Sequence, residues 1–158
     1  MSPELPALRA RKLRAPLLLA VGVLLTLEAG GGLVIFFARL ASGTLPGEAL
    51  HVFAGVALTA AYAVYQWGHW NRVAPFRARL DYALGLIAAI ALALTQLTGF
   101  VLAWPWWLAR GTAAPVAYAP LVSGAHNVMS MFVLTFAGAH LGAVLQRDAR
   151  ARRGEPER

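Results

Sequence analysis

The stretch HVFAGVALTAAYAVYQWGHW, residues 51–70, carries a histidine at each end and no formally charged residue. About 20 mainly apolar residues are enough for an α-helix to cross the hydrocarbon core of a bilayer. Working outward from this stretch, similar runs on both sides predict four spans at about 16–40, 48–71, 81–104 and 121–146. The sequence therefore predicts an all-α integral membrane protein, a four-helix up-and-down bundle.

The composition agrees with a membrane protein and leaves no room for a second domain. The chain has 158 residues, of which 59% are hydrophobic and 13% charged, and its mean hydropathy is +0.60. A soluble domain of ordinary composition is much more polar. The expected organisation is a basic leader at 1–14, the membrane domain at 15–146 and a basic tail at 147–158. The first span is longer than a signal-peptide core and lacks an A-x-A-like site, so we expect it to be retained.

The distribution of charge predicts how the chain is oriented. Of the 14 Lys and Arg residues, only Arg39 and Arg110 fall on one side of a four-span arrangement. The others precede the first span, follow the fourth, or lie in the 71–81 loop. The positive-inside rule then places both termini and that loop in the cytoplasm, in a multi-pass protein of the inner (plasma) membrane. We interpret the net charge of +7 as a topology signal and lipid contact, with no nucleic-acid partner.

The loop WPWWLARGTAAPVAYAP, residues 104–120, is the longest connection on the outer side. Its tryptophans and Tyr118 are typical of an aromatic belt at the membrane interface. The functional alternative is a lid or a docking surface.

All four histidines of the chain lie in the second and fourth predicted spans, which run in the same direction. The 18-residue step from His51 to His69 is five helical turns, and the 14-residue step from His126 to His140 falls about 40° short of four turns. Each helix therefore has one histidine-bearing face. By depth, His51 pairs with His126 on the outer side and His69 with His140 on the inner side.

Two imidazoles that face each other across a helical bundle are suited to axial ligation of a haem iron. With both axial positions filled, such an iron favours electron transfer. The chain has no cysteine, so any haem would be haem b, bound non-covalently, with one or two per chain. The alternative is a purely structural role, in which each histidine is an interfacial residue or forms a hydrogen bond between helices.

The inner pair is less regular than the outer pair. With the outer ligands level, His69 lies about 6 Å deeper than His140, from the rise per residue. Tyr65, 14 residues after His51, is level with His140. Either His69 or Tyr65 is therefore the candidate to face His140.

Other residues near the histidines have both a functional and a structural interpretation. Glu28, near the middle of the first span, suggests proton transfer or a hydrogen bond to a histidine, or a neutral structural group. Arginine suits haem propionates, and equally lipid headgroups. Glycine admits a flat ligand, and equally serves helix packing. The candidates of these last two kinds are Arg39, Arg72 and Arg110, the run EAGGG at 28–32, Gly55, Gly124, Gly138 and Gly142.

Short motifs in these spans are similar to one known family. H-V-F-A-G at 51–55, G-H-W-N-R at 68–72, H-N-V at 126–128 and G-A-H-L at 138–141 resemble the small four-helix membrane cytochromes b, in particular the flavinylation-associated cytochrome domain family. The resemblance covers residues 15–146. In that family the second span usually carries H-x13-H; here His51 holds the first of these positions and Tyr65 the second, with His69 one turn further on. The resemblance implies b-type haem and electron transfer across the membrane to extracytoplasmic redox partners, including flavinylated proteins.

The expected function is thus that of a membrane cytochrome b. It would pass electrons between a quinol pool or a subunit partner and an extracytoplasmic flavoprotein, cytochrome c or other oxidoreductase subunit. Whether the chain is itself an enzyme, as part of a quinol-linked oxidoreductase, stays open. The alternative is a haem-free membrane anchor or small transporter subunit in which the histidines and Glu28 relay protons.

Overall fold

The computed structural model describes residues 16–73, 79–111 and 116–154 and has four α-helices in them. These are α1 (Pro16–Ser42), α2 (Glu48–Val73), α3 (Leu80–Ala109) and α4 (Pro120–Arg152). Each contains a stretch long and apolar enough to cross a membrane. The predicted all-helical, four-span architecture is confirmed for this part of the chain. The leader at 1–14, the side chain of Arg72 and tail residues 155–158 lie outside the described residues.

The chain forms two compact units, one built on α1 and α2 and the other on α3 and most of α4. We call them hairpin 1 and hairpin 2. Few side chains are fully buried, and many large apolar ones are exposed, among them Leu121 at 85% and Trp67 at 79%. In a bilayer such side chains face lipid tails that are as apolar as they are. The buried apolar residues are Val21, Leu58, Ala91, Leu92, Trp106 and Val133.

Two glycines shape the turn of hairpin 1. Gly43 has φ of 71° and donates its N–H to the carbonyl of Arg39 at 3.0 Å, which ends α1 in a left-handed cap. Gly47 has φ of 75°, and its carbonyl accepts the N–H of His51 at 3.0 Å. His51 therefore belongs to the first turn of α2. The short connection makes α1 and α2 antiparallel neighbours.

Helix α3 continues past the predicted boundary at residue 104 to Ala109, with Pro105 inside it. Proline removes one helical hydrogen bond, here the one to the carbonyl of Val101, but the φ it imposes is compatible with a helix. Trp106, directly after the proline, is only 9% exposed, so its packing favours continuing the helix. Part of the loop predicted at 104–120 is therefore helical.

Helix α4 extends past residue 146 to Arg152 and takes in the first part of the predicted tail. The added residues are rich in Arg and Ala, which are good helix formers. Arg150 and Arg152 lie in the last turn, where positive charge complements the helix dipole. Arg147 forms an ion pair with Asp81 of α3, which ties this extension to hairpin 2.

Candidate functional site

His126, in α4, is held by a main-chain carbonyl of α3. Its Nδ1 lies 3.0 Å from the carbonyl oxygen of Thr95. Thr98 Oγ1 lies 3.1 Å from the same nitrogen and itself donates to the carbonyl of Leu94 at 2.8 Å. The hydroxyl oxygen of Thr98 therefore acts as a second acceptor for His126. The imidazole is fixed from its Nδ1 side.

His140, about four turns further along α4, is held in the same way. Its Nδ1 lies 2.7 Å from the carbonyl oxygen of Asp81. The carboxylate of Asp81 also accepts the N–H of Tyr82 at 3.0 Å and pairs with Arg147. Asp81 thus contacts α4 twice, with its backbone at His140 and with its side chain at Arg147. The order of these contacts shows that α3 and α4 are antiparallel.

A glycine lies beside each of these imidazoles, one turn after the accepting residue. A Cβ built on Gly99 would lie 3.2 Å from His126 Cε1, and one built on Gly85 would lie 2.9 Å from His140 Cε1. Both distances are too short for an unshifted methyl group. Absence of a side chain at Gly85 and Gly99 therefore makes room for the two rings.

The two arrangements are copies related by 14 residues on both helices. The acceptor and the glycine are Thr95 and Gly99 in one copy, and Asp81 and Gly85 in the other. We call such an arrangement a histidine seat: an oxygen acceptor at position i and a glycine at i+4 of one helix, holding a histidine of the next. The 14-residue step between the two seats equals the step from His126 to His140.

Hairpin 1 contains a third histidine seat, for His51. Glu28 Oε2 lies 3.2 Å from His51 Nδ1, and Glu28 is followed four residues later by Gly32. A Cβ on Gly32 would lie 3.3 Å from His51 Cε1, and one on Gly31 would lie 3.9 Å from Nδ1. The oxygen here belongs to a side-chain carboxylate at ion-pair distance, outside hydrogen-bond geometry, whereas the other two seats use hydrogen bonds to the main chain. The glycine run at 30–32, predicted to make room for a macrocycle edge, accommodates an imidazole in this hairpin.

The acceptors determine which tautomer the imidazoles adopt. A carbonyl oxygen can only accept, so Nδ1 of His126 and of His140 must carry the proton. In a neutral ring Nε2 then keeps its lone pair. This is the arrangement by which proteins orient metal-ligating histidines, with one nitrogen on a main-chain or carboxylate oxygen and the other free to coordinate. In His126 and His140, Nε2 is therefore the nitrogen that can coordinate a metal.

His69 has a different environment from the three seated histidines. Its Nδ1 lies 3.3 Å from the hydroxyl of Tyr65, one turn earlier in α2, and the two rings stack at 5.2 Å with 17° between their planes. The two residues weighed as alternatives are therefore in contact with each other. Tyr62 continues this aromatic row, 6.2 Å from Tyr65 between ring centroids.

Each predicted pair of haem ligands combines one histidine of hairpin 1 with one of hairpin 2. Because the two hairpins are separate compact units, the pairing stays a prediction. Within the described residues, no group of three or more His, Asp or Glu side chains is placed to hold a bare metal ion. A haem iron needs only two axial side chains, because the macrocycle supplies the other ligands.

The remaining predicted residues divide according to their surroundings. The guanidinium of Arg110 stacks on the ring of Trp107, 3.9 Å from the centroid, a cation–π contact. Arg39 lies in the last turn of α1.

The other predicted glycines belong to α2 and α4. Gly55 lies one turn after His51, and its carbonyl accepts the hydroxyl of Thr59 at 2.8 Å. A Cβ on Gly124, Gly138 or Gly142 would meet no atom within 4 Å in the described part of the chain.

The glycines that contact the histidines of α4 are therefore Gly85 and Gly99 of α3, which were not among the residues predicted from the sequence. A signal was present, since Gly85 and Gly99 repeat the 14-residue spacing of His126 and His140. Thr95 and Asp81 carried no signal, because their main-chain carbonyls are common to every residue type.

No protein-family model, no curated protein and no solved structure matches this chain. The resemblance to membrane cytochromes b therefore rests on the short sequence motifs alone.

Proposed function

We propose that this protein is a multi-pass membrane cytochrome b that carries one or two haems b and transfers electrons. The observation that supports it most is the pair of seats on α3, where His126 and His140 donate Nδ1–H to main-chain carbonyls at 3.0 and 2.7 Å. Such bonds leave Nε2 as a neutral nitrogen donor. The two seats share the same spacing and the same arrangement of acceptor and glycine, as expected of two ligands that are held in the same way.

The donor set fits a haem. His51 and His126 would ligate an outer haem, and His140 with His69 would ligate an inner one. Bound haem supplies one-electron chemistry at its iron. The protein would contribute the ligands, the tuning of their basicity and the exclusion of water. His69 would be oriented by Tyr65, whose hydroxyl lies 3.3 Å from Nδ1 and can accept its proton, an arrangement that would leave Nε2 as the ligand atom.

The proposed partners follow from the membrane location and the resemblance. Electrons would enter from a quinol pool or a subunit partner and leave to an extracytoplasmic redox protein, or pass the other way. Flavoproteins, cytochromes c and other oxidoreductase subunits are the classes of partner proposed. Arg39 at the end of α1 and Arg110 after α3 lie at helix ends, where haem propionates or lipid headgroups would meet them.

A second candidate is a haem-free anchor or transporter subunit that relays protons. The observation that favours it is the contact of Glu28 with His51, since a carboxyl and an imidazole in contact within a span can exchange a proton. It explains the seat of His51 and leaves the two seats on α3 without a role.

The test is a reduced-minus-oxidised absorption spectrum of the purified protein, expressed with sufficient haem supply. We expect the spectrum of a low-spin b-type cytochrome, and complete removal of the pigment by acidified acetone. Pigment that stays on the polypeptide would contradict non-covalent haem b. Complete absence of haem would leave the proton-relaying alternative.

A further inference from the structure

The seat of His51 differs from the other two in one respect that has chemical consequences. Its acceptor is the carboxylate of Glu28, whereas those of His126 and His140 are neutral amide carbonyls. A main-chain carbonyl carries no net charge and moves only with its helix. A carboxylate is a stronger acceptor and brings negative charge next to the ring.

The Glu28–His51 contact lies in surroundings that are largely shielded from water. The side chains of Glu28 and His51 are 14% and 25% exposed, and Glu28 Oε1 is buried without a hydrogen-bond partner among the described residues. Electrostatic interactions are stronger in such surroundings than in water. Oε2, the other oxygen of the same carboxyl group, lies 3.2 Å from His51 Nδ1, an ion-pair distance at angles outside hydrogen-bond geometry.

A carboxylate on Nδ1 changes the properties of Nε2 on the opposite side of the ring. It pulls on the Nδ1 proton and raises the electron density of the imidazole, which makes Nε2 a more basic ligand. A more basic axial ligand and a nearby negative charge both stabilise ferric over ferrous iron. Charged and polar groups in contact with an axial histidine are one of the means by which proteins adjust haem potentials.

We propose that Glu28 is the positioning residue of His51, and that it lowers the reduction potential of the haem that His51 ligates. This inference rests on the proposed function. Glu28 holds the ring by Nδ1, so that Nε2 is the donor, and its carboxylate makes His51 a more electron-rich ligand than His126 or His140. Gly31 and Gly32 leave the space in which the ring can approach α1.

The experiment replaces Glu28 by Gln, which keeps the length and an acceptor oxygen but removes the negative charge. In E28Q we expect the potential of the His51 haem to rise while its low-spin spectrum persists. If a second haem is present, its potential should not change. E28L, which removes the acceptor altogether, should lose haem at the His51 site, because the ring is no longer oriented.

The matched control is E48Q. Glu48 lies in the first turn of α2, three residues before His51, and is the one acidic residue of that helix. Its removal changes the charge of the same helix without changing the contact at Nδ1. The inference is supported if E28Q raises the potential clearly more than E48Q does, and overturned if the two variants shift it equally or not at all.

The low-spin EPR signal gives a readout that a purely structural role of Glu28 would not move. A more neutral imidazole should raise the largest g value of the His51 haem in E28Q and leave it unchanged in E48Q. If the wild-type protein carries no haem, the proposed function fails. The position of the proton on His51 can then still be read from ¹⁵N chemical shifts of labelled protein. Loss of the Nδ1–H form in E28L supports Glu28 as positioning residue, and its retention refutes that role.

Discussion

At the scale of the residue, the most specific feature is the space that glycine leaves beside an imidazole. Replacing a helical glycine by alanine normally stabilises a helix by roughly 0.5–1 kcal/mol. At Gly85 the added Cβ would lie 2.9 Å from His140 Cε1 and 3.0 Å from Nδ1, so the ring or the helix must move. The stabilising effect of alanine is therefore opposed by a steric clash.

We expect G85A to weaken haem binding at the His140 site, and G99A to do so at the His126 site with a smaller effect, because its closest distance is 3.2 Å. Haem content per chain and thermal unfolding of the purified variants measure this. G22A in α1 is the control for the helical effect of alanine, since its Cβ would meet no atom within 4 Å in the described part of the chain. Equal behaviour of G85A and G22A would show that the seat does not need a glycine.

The outer ligand pair is also decided at the residue scale. His51→Ala and His126→Ala should remove the same haem signal, because a bis-imidazole iron loses its low-spin state when either ligand is lost. The absorption and EPR spectra of the two single variants provide the comparison. Loss of different haems, or of none, would show that these two residues are not a pair.

The inner ligand is the least regular of the four. His69→Ala and His140→Ala should each halve the haem content of a two-haem protein and spare the His51 site. Tyr65→Phe removes only the hydroxyl that contacts His69 Nδ1, so it should keep the haem but alter its spectrum. Haem retained in His69→Ala and lost in His140→Ala would indicate Tyr65 or an open coordination position. No loss in either would indicate a one-haem protein.

At the scale of the element, hairpin 2 is held together at its far end by the ion pair of Asp81 and Arg147. Their side chains are 13% and 26% exposed, so the pair is largely shielded from water. The carbonyl of Asp81 holds His140, which lies two turns before Arg147 in α4. The ion pair therefore keeps α3 in place at the level of the seat.

Breaking this ion pair should loosen the His140 seat while leaving the His126 seat in place. We expect D81N to lower the stability of hairpin 2 by about 1 kcal/mol, and by more if the charge of Arg147 stays shielded from water. A double-mutant cycle with Arg147→Met, followed by thermal unfolding and by haem content, measures the coupling. R150M, in the last turn of α4, is a control that changes the charge of the same helix without touching Asp81. Additive effects of D81N and R147M would contradict the link.

At the scale of the whole molecule, the distribution of Lys and Arg predicts the orientation in the membrane. Both termini should be cytoplasmic, since twelve of the 14 basic residues fall on their side of the four spans. A reporter active only outside the cytoplasm should be silent when fused after residue 158 and active when inserted between residues 112 and 115. The reverse pattern would invert the proposed inner and outer haems.

The sequence by itself determined the four helices, because apolar length is a local property and a bilayer imposes it on each span separately. It also selected the histidines as the residues of interest, since their spacing and restriction to two spans are visible in one dimension. Helix ends were harder to predict, because Pro105 and the polar residues after 146 do not stop their helices. Burial of Trp106 and the ion pair of Arg147 favour continuation of α3 to Ala109 and of α4 to Arg152.

Only the tertiary structure decided what holds each histidine. Thr95 and Asp81 accept from the imidazoles with main-chain oxygens, which every residue type has. Gly85 and Gly99 are important only because a histidine of α4 packs against them. Glu28 was identified from sequence by its unusual depth, and the structure gave it His51 as its contact. Hydrogen bonding and steric fit depend on two segments brought together in space. For that reason the histidine seats could be identified only from the folded hairpins.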